Sequence, residues 1–548
     1  MSAVAASAPS ARVKRMTLIA AILGSSIAFI DATVVNVALP AIRRDLHADL
    51  ATQQWVIEAY LLMLGSLILI GGSLSDLYGR RRVFALGVAG FGATSLLCAV
   101  APTSELLVAA RALQGATGAL LIPSTLAVIV DSFDEHERGA AIGSWTAWGG
   151  VAGLVGPFLG GLLVQVSSWR LVFGISLVPV GATLYLISRY VPEHLDRRVH
   201  RHIDVPGALL CAIGLAGVVL ALIEQPTRGW ADGLVLPPLV IGVACLVLFF
   251  LQERRSPDPM LPLSLFRHRN FAYGNAATLV VYAGLGAAMF FLPLYLQQVA
   301  GYSPVEAGLS LLPVTLAIFL LSRRFGALAD RLGPRLFMGT GPLVAGLGLL
   351  WFVRLGHHAP YASSVLPGAL IFGLGLSITV APLTAAVLAC VDEEHAGIAS
   401  GVNNAVARVA GLLAIAAIGA VVSAQFASTL DSRVAGRPLS PLAHRSLARV
   451  KTRPLVTDAA RGLHGAEGRA VARAVDDASV DGFRAGMLTA ALLTMLGGAV
   501  SAAGIRNPRR RVEALECPGG AMVGASERLG RGRAPALPAP ASPAVSRG

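Results

Sequence analysis

Apolar stretches long enough to cross a bilayer recur along this chain, roughly fourteen in all. They fall at residues 17–39, 55–72, 83–101, 105–130, 140–166, 170–191, 205–224, 234–252, 271–294, 304–322, 336–354, 362–390, 397–423 and 483–505. A segment in lipid must satisfy its backbone hydrogen bonds internally, so each predicts a helix and the chain predicts an all-α polytopic membrane protein. Composition agrees. Of 548 residues, 55% are hydrophobic and 14% charged, whereas soluble domains carry roughly 25% charge. The net charge of +13 does not indicate a nucleic-acid partner, because most arginines sit in short loops between apolar runs.

Arginine placement predicts the sides. The loops after the second, sixth, eighth and tenth spans hold most of the loop arginines, among them Arg80, Arg197, Arg254 and Arg331, and the alternate short loops hold few. Both termini are therefore expected in the cytoplasm. Residues 424–482 are Arg-rich yet fall outside on this count, and loops this long largely escape the rule. Residues 1–16 predict a cytoplasmic tail before an uncleaved first span. Residues 506–548, rich in Pro, Ala and Gly, predict a disordered cytoplasmic tail. Four cysteines lie in apolar runs and Cys517 in the tail. With no CxxC or Cys/His cluster, neither a metal site nor a disulfide framework is expected.

A repeat sets the expected architecture. Gly72 to Arg81 reads GSLSDLYGRR and Gly326 to Arg335 reads GALADRLGPR, both G-x-L-x-D-x-x-G-x-R. Each follows a span, the second and the tenth. Residues 17–192 and 271–505, the latter including an external loop at 424–482, then become two like six-helix bundles. Residues 205–252 become two inserted linking helices. Parallel repeats of this kind are one way transporters are built, with the substrate site near the midplane between halves.

The chain resembles the major facilitator superfamily and, more narrowly, its fourteen-span drug:proton antiporters, the multidrug exporters of bacteria. The resemblance rests on FIDATVVNVALPAI in the first span, GGSLSDLYGRRR after the second and LVAARALQGATGA in the fourth. It extends to GLVGPFLGG in the fifth and LPLYLQQVAGYSPVEAGLSLLP across the ninth and tenth. It implies that the fifth-span motif separates exporters from importers, and that the loop motifs latch the two bundles. The latch would use Gly72, Asp76, Gly79 and Arg80, and Asp330, Arg331, Gly333 and Arg335 in the second half. There Arg323 and Arg324 stand where a proline and a small or apolar residue are expected, which departs from the pattern.

The residues support physical readings of their own. Gly153, Gly156, Gly160 and Gly161 recur at helical spacing and make a smooth stripe for close helix approach, and Pro157 can kink it. Asp31 lies about 22 Å above the inner end of its span, with Arg111 about 9 Å and Glu58 about 8 Å below the outer face. All three occupy one layer, so Asp31 is tolerable beside Arg111 or facing a water-filled cavity. A carboxylate whose surroundings alternate between charged and apolar binds and releases protons. Asp31 is therefore the expected proton site, with Arg111 as its modulator. Glu58, Trp145, Trp148, Arg408, Asn403 and Asn404 are candidates for the substrate cavity; an intramembrane Arg is a functional candidate by default.

The expected function is proton-driven export of lipophilic drugs or toxic compounds across a bacterial plasma membrane. The alternative is a dedicated exporter or importer of one metabolite, such as an amino acid or siderophore. The two lysines, Lys14 and Lys451, follow no P-loop glycines. An ATP-driven pump is accordingly not expected, nor, with no Ser/His or metal-ligand cluster within the spans, is an enzyme, and no cofactor is expected. Expected partners are the bilayer, protons and small lipophilic substrates. A monomer is expected, and the resemblance allows a periplasmic adaptor and outer-membrane channel.

Overall fold

In a computed structural model the chain is described over residues 10–193, 204–257, 259, 261–388, 396–435, 437, 439–451, 454–455 and 465–507. Most of the expected tail 506–548 and residues 1–9 lie outside these. The elements in order are α1 (Ala11–Leu46), α2 (Leu50–Tyr78), α3 (Arg80–Val100), α4 (Ser104–Ser132), α5 (Glu135–Val166), α6 (Arg170–Gly174), α7 (Leu177–Tyr190), α8 (Val205–Arg228) and α9 (Leu236–Arg255). Then follow α10 (Arg269–Gln298), α11 (Pro304–Ser310), α12 (Leu312–Leu332), α13 (Pro334–Phe352), α14 (Leu366–Leu388), α15 (Ala396–Val434), α16 (Pro441–Lys451) and α17 (Gly465–Gly504). Over its described residues, each of the fourteen expected segments falls mainly on helix. The sixth is divided into α6 and α7, and the tenth into α11 and α12. Twelve helical stretches among the described residues are long and apolar enough to span a bilayer; α2 and α5, of 29 and 32 residues, run beside them.

Short loops between long helices make the chain alternate in direction. Residues 47–49, 101–103, 167–169 and 299–303 therefore share one end of the bundle, called here the upper end. Side-chain caps start the helices there. Asp49 accepts from Thr52 N, Thr103 accepts from Leu106 N, and Ser303 with Glu306 forms a reciprocal capping box. At this end α5 packs on α11, and α1 on α10. Gln54 Nε2 donates to Ile415 O at 2.8 Å, and Gln297 Nε2 to Val37 O at 3.0 Å. A large buried apolar cluster joins early and late helices, with Leu39, Phe173, Phe291, Phe352 and Phe483 among its members. The helices α8 and α9 pack on each other, and α8 also packs on α2 and α15.

The stretch 424–482, expected as an external loop, is largely helical among the described residues. Helix α15 runs on to Val434 and α17 begins at Gly465, with α16 between them. Phe426 and Leu430 of α15, Ala443 and Leu447 of α16, and Val471 and Val475 of α17 form a small apolar core of their own. Asp477 on α17 ties this cap to its neighbours, 3.3 Å from His357 and 3.5 Å from Arg433. The many arginines mask a sparse apolar period that is sufficient for three helices to bury one face together.

Candidate functional site

The buried charge in α1 finds its partner on α4. Arg111 Nη1 donates to Asp31 Oδ2 at 2.6 Å, and both side chains are almost wholly buried. Gln114, one turn along α4, completes the site. Its Nε2 donates to Asp31 Oδ1 at 3.2 Å and to Ser95 Oγ at 2.8 Å, and its Oε1 accepts from Arg111 Nη1 at 2.6 Å. Arg111 Nε donates to Val56 O of α2 at 2.9 Å. The Tyr60 ring lies against the guanidinium, 4.3 Å from its centroid. Each oxygen of Asp31 thus receives a donor, and four helices hold them. Buried charges are stable only when paired and hydrogen-bonded in this way.

This cluster borders a cavity of about 130 Å³ between early and late helices, walled by Asn36, Tyr60, Arg111, Met289, Gly411 and Ile415. That is room for a few waters. Most of the wall is apolar, and two of its residues, Asn36 and Tyr60, each have a buried oxygen without a hydrogen-bond partner. Arg408 lies three residues before Gly411, on the same face of α15. Its Nε is sealed from solvent with no partner, and its Cβ faces Gly65 of α2.

Other expected residues lie elsewhere. Glu58 is fully buried, both oxygens without a hydrogen-bond partner. It shares the face of α2 with Trp55 and Leu62, which pack against α8 and α15, and it is not part of the cavity wall. Trp145 packs in a cluster with Ala21, Ile129 and Ala141, while Trp148 is exposed. Asn403 Oδ1 accepts from Thr278 Oγ1 of α10 at 2.8 Å, and Asn404 is exposed. Three residues escaped the sequence reading: Gln114, Ser95 and Tyr60. Gln114 stood in the quoted fourth-span motif three residues after Arg111, a spacing that puts both on one helix face. Ser95 and Tyr60 carry no such signal.

The glycines of α5 have a visible use. A Cβ at Gly156 would sit 2.0 Å from Thr33 Oγ1, and one at Gly160 would sit 2.8 Å from Val34 O, both on α1. A Cβ at Gly161 would meet Pro304 O at 2.5 Å, and one at Gly308 would meet Pro157 O at 2.3 Å. So α5 is wedged between α1 and α11. Gly153 has nothing within 4 Å.

A model of the Major Facilitator Superfamily matches residues 21–415. The chain belongs to that superfamily. Among its relatives are the multidrug resistance protein Stp of Mycobacterium tuberculosis, 34% identical over 80% of this chain and 81% of that protein, and a puromycin resistance protein of Streptomyces alboniger, 39% identical over 73% and 80%. A tetracenomycin C resistance and export protein of Streptomyces glaucescens is 32% identical over 79% and 81%. These relatives place this major facilitator protein among the drug exporters. In fold it is similar to a bacterial homologue of the human lysosomal transporter Spinster in an inward-facing state. The TM-score is 0.63 at 16% identity, covering 91% of this chain and all of that one.

In this superfamily member the repeated loop motifs make equivalent joints. Gly79 between α2 and α3 has φ 96°, and Gly333 between α12 and α13 has φ 88°. Both lie in a region that a side chain disfavours. Arg80 pairs with Asp131 of α4 and donates to Ala127 O at 3.3 Å. Arg335 Nε donates to Ala502 O of α17 at 2.8 Å, and Arg331 is exposed. Gly72 lies 3.8 Å from Pro123 of α4 by its notional Cβ. The side chains of Asp76 and Asp330 lie outside the described residues.

Proposed function

We propose that this protein exports lipophilic drugs or toxic compounds from a bacterial cell in exchange for protons entering through Asp31. The supporting observation is the buried Asp31–Arg111–Gln114 cluster at the edge of the cavity between early and late helices. Ionised Asp31 is held by both donors. A proton on Asp31 removes the charge that Arg111 and Gln114 are aimed at, leaving the arginine its bonds to Gln114 and Val56. The two states differ in what holds α1 to α4, so proton occupancy biases helix position. Each proton entering down 100 mV supplies about 2.3 kcal/mol. Tyr60 touches Arg111 with its ring and is part of the cavity wall, which gives an occupant of the cavity a path to the proton site.

On this reading the upper end faces outward, both termini are cytoplasmic, and the molecule is closed to the outside. The loop joints at Gly79 and Gly333 serve as cytoplasmic latches, and the two six-helix bundles rock about α8 and α9. The transporter works as a monomer with no cofactor, and no ATP is consumed. An adaptor and outer-membrane channel would extend the path where a second membrane exists. A second reading, a dedicated exporter of one compound, gains support from relatives named for single antibiotics.

Proteoliposomes holding a pH indicator and an imposed proton gradient test the proposal. Puromycin and tetracenomycin C are the first compounds to try. Gradient collapse on adding compound, without ATP, supports proton exchange; uptake that requires ATP contradicts it.

A further inference from the structure

The two halves treat the arginines at their lower ends differently. After α2, Arg80 pairs with Asp131, Arg81 Nη2 donates to Ser188 O at 2.9 Å, and Arg82 pairs with Glu193 at 2.7 Å. At the lower end of α12, Arg323, Arg324 and Arg331 are exposed, and among the described residues none of the three has an ion-pair or hydrogen-bond partner. The repeated motif aligns Arg323 and Arg324 with Leu69 and Ile70 of α2. The second half therefore carries two guanidiniums at a depth where the first half is apolar. Along α11 and α12, Arg323 lies about 30 Å below Ser303 of the upper end, which matches the thickness of the hydrocarbon layer. Each arginine sits one turn below an exposed apolar side chain, Arg323 below Phe319 and Arg324 below Leu320. Arg331 continues the Arg324 side two turns further down. An aqueous cleft would leave Phe319 and Leu320 in water, whereas acyl chains cover them. Arginines at the edge of the acyl layer place their stems along apolar surface and their charge at the headgroups.

We propose that Arg323 and Arg324, with Arg331 below them, form a docking surface for an anionic phospholipid of the cytoplasmic leaflet. The lipid phosphate lies at the two guanidiniums, whose planar forks of donors suit phosphate oxygens. The acyl chains lie along Leu316, Phe319 and Leu320, which are exposed on the turns above. Unpaired positive charges at this level favour an anionic headgroup over a zwitterionic one. The choice of leaflet rests on the reading that the upper end faces outward. The surface itself is independent of that reading and of whether Asp31 carries the proton.

Purified full-length protein in a nonionic detergent is titrated with dioleoylphosphatidylglycerol or with dioleoylphosphatidylcholine, and bound lipid is counted by native mass spectrometry. The anionic lipid should bind at least about tenfold tighter, because each arginine near an anionic headgroup adds to the attraction. Arg323→Gln together with Arg324→Gln should remove that preference and leave phosphatidylcholine binding unchanged, which also shows that the variant is folded. Arg323→Lys together with Arg324→Lys should keep most of the preference. Arg254→Gln together with Arg255→Gln removes the same charge from the exposed lower end of α9 and should keep all of it. Equal binding of the two lipids by the wild type overturns the proposal. So does an equal loss of both lipids in the first variant, which would make the arginines structural. A loss of preference in the α9 variant as large as in the α12 variant also overturns it, since overall charge would then be the cause. Displacement of the anionic lipid by excess inorganic phosphate overturns it as well, since the site would then be one for a soluble anion.

Discussion

At the scale of single residues the account turns on what Arg111 holds. Removing one partner of a buried ion pair leaves the other charge uncompensated, at about 3–5 kcal/mol. Arg111→Met should therefore lower the thermal unfolding midpoint of the purified protein markedly. Arg111→Met combined with Asp31→Asn should recover part of the loss. Equal midpoints for the single variant and the wild type would show that the pair is not structural. Tyr60→Phe keeps the ring on Arg111 and removes a buried hydroxyl from a residue of the cavity wall. It should weaken substrate binding while leaving the pH dependence of transport in place, and Tyr60→Leu should disturb that pH dependence. Identical pH profiles for all three proteins would separate Tyr60 from the proton site. Of these residues Asp31 and Arg111 were legible in the sequence because a charge within an apolar run is conspicuous. Gln114 was less so, being a polar side chain in an otherwise apolar context. Tyr60 was not, because an aromatic ring in a membrane helix looks like packing until its neighbour is known.

At the scale of helices, positions where backbone meets backbone decide the packing. Gly156 admits Thr33 of α1 so closely that any Cβ would overlap its hydroxyl. Gly156→Leu should force α1 from α5 and cost about 1–3 kcal/mol by overpacking, read as a lowered unfolding midpoint, whereas Gly153→Ala, with open space around it, should be neutral. Similar effects at the two positions would refute the packing argument. At the joints, Gly79→Val and Gly333→Val should each cost about 1–2 kcal/mol, because a β-carbon disfavours positive φ. The helices were legible from the length and apolarity of their segments, since lipid leaves a chain few alternatives. Their ends were not: α1 extends from Ala11 to Leu46 around an apolar run of about 23 residues, because charged first and last turns stay helical in water. The cap of α15, α16 and α17 was missed for a related reason. Its apolar positions are spaced for helices but are diluted by arginines, and only mutual packing reveals them.

Across the whole molecule, polar contacts and the largest apolar cluster join early and late helices at the upper end. Alternating access requires that this end open. Cysteines at Val37 and Gln297, where the glutamine side chain reaches the Val37 carbonyl at 3.0 Å, should be bridged by a disulfide-containing bismaleimide that spans that side chain, which should stop transport, and a reductant should restore it. Unimpaired transport by the cross-linked protein would mean that this end does not move. The paired loop motifs made the repeat readable before any coordinates, and the equivalent glycine joints agree with it. The cavity was not readable, because its walls come from helices far apart in the chain. The central claim is that substrate and proton exclude one another through Asp31. It is tested most directly by adding a transported compound, identified in the vesicle assay, to purified protein in weakly buffered detergent solution with a pH indicator. The wild type should release about one proton per molecule, as linkage between the two sites demands, and Asp31→Asn should bind the compound and release none. Equal proton release from both proteins would contradict the account.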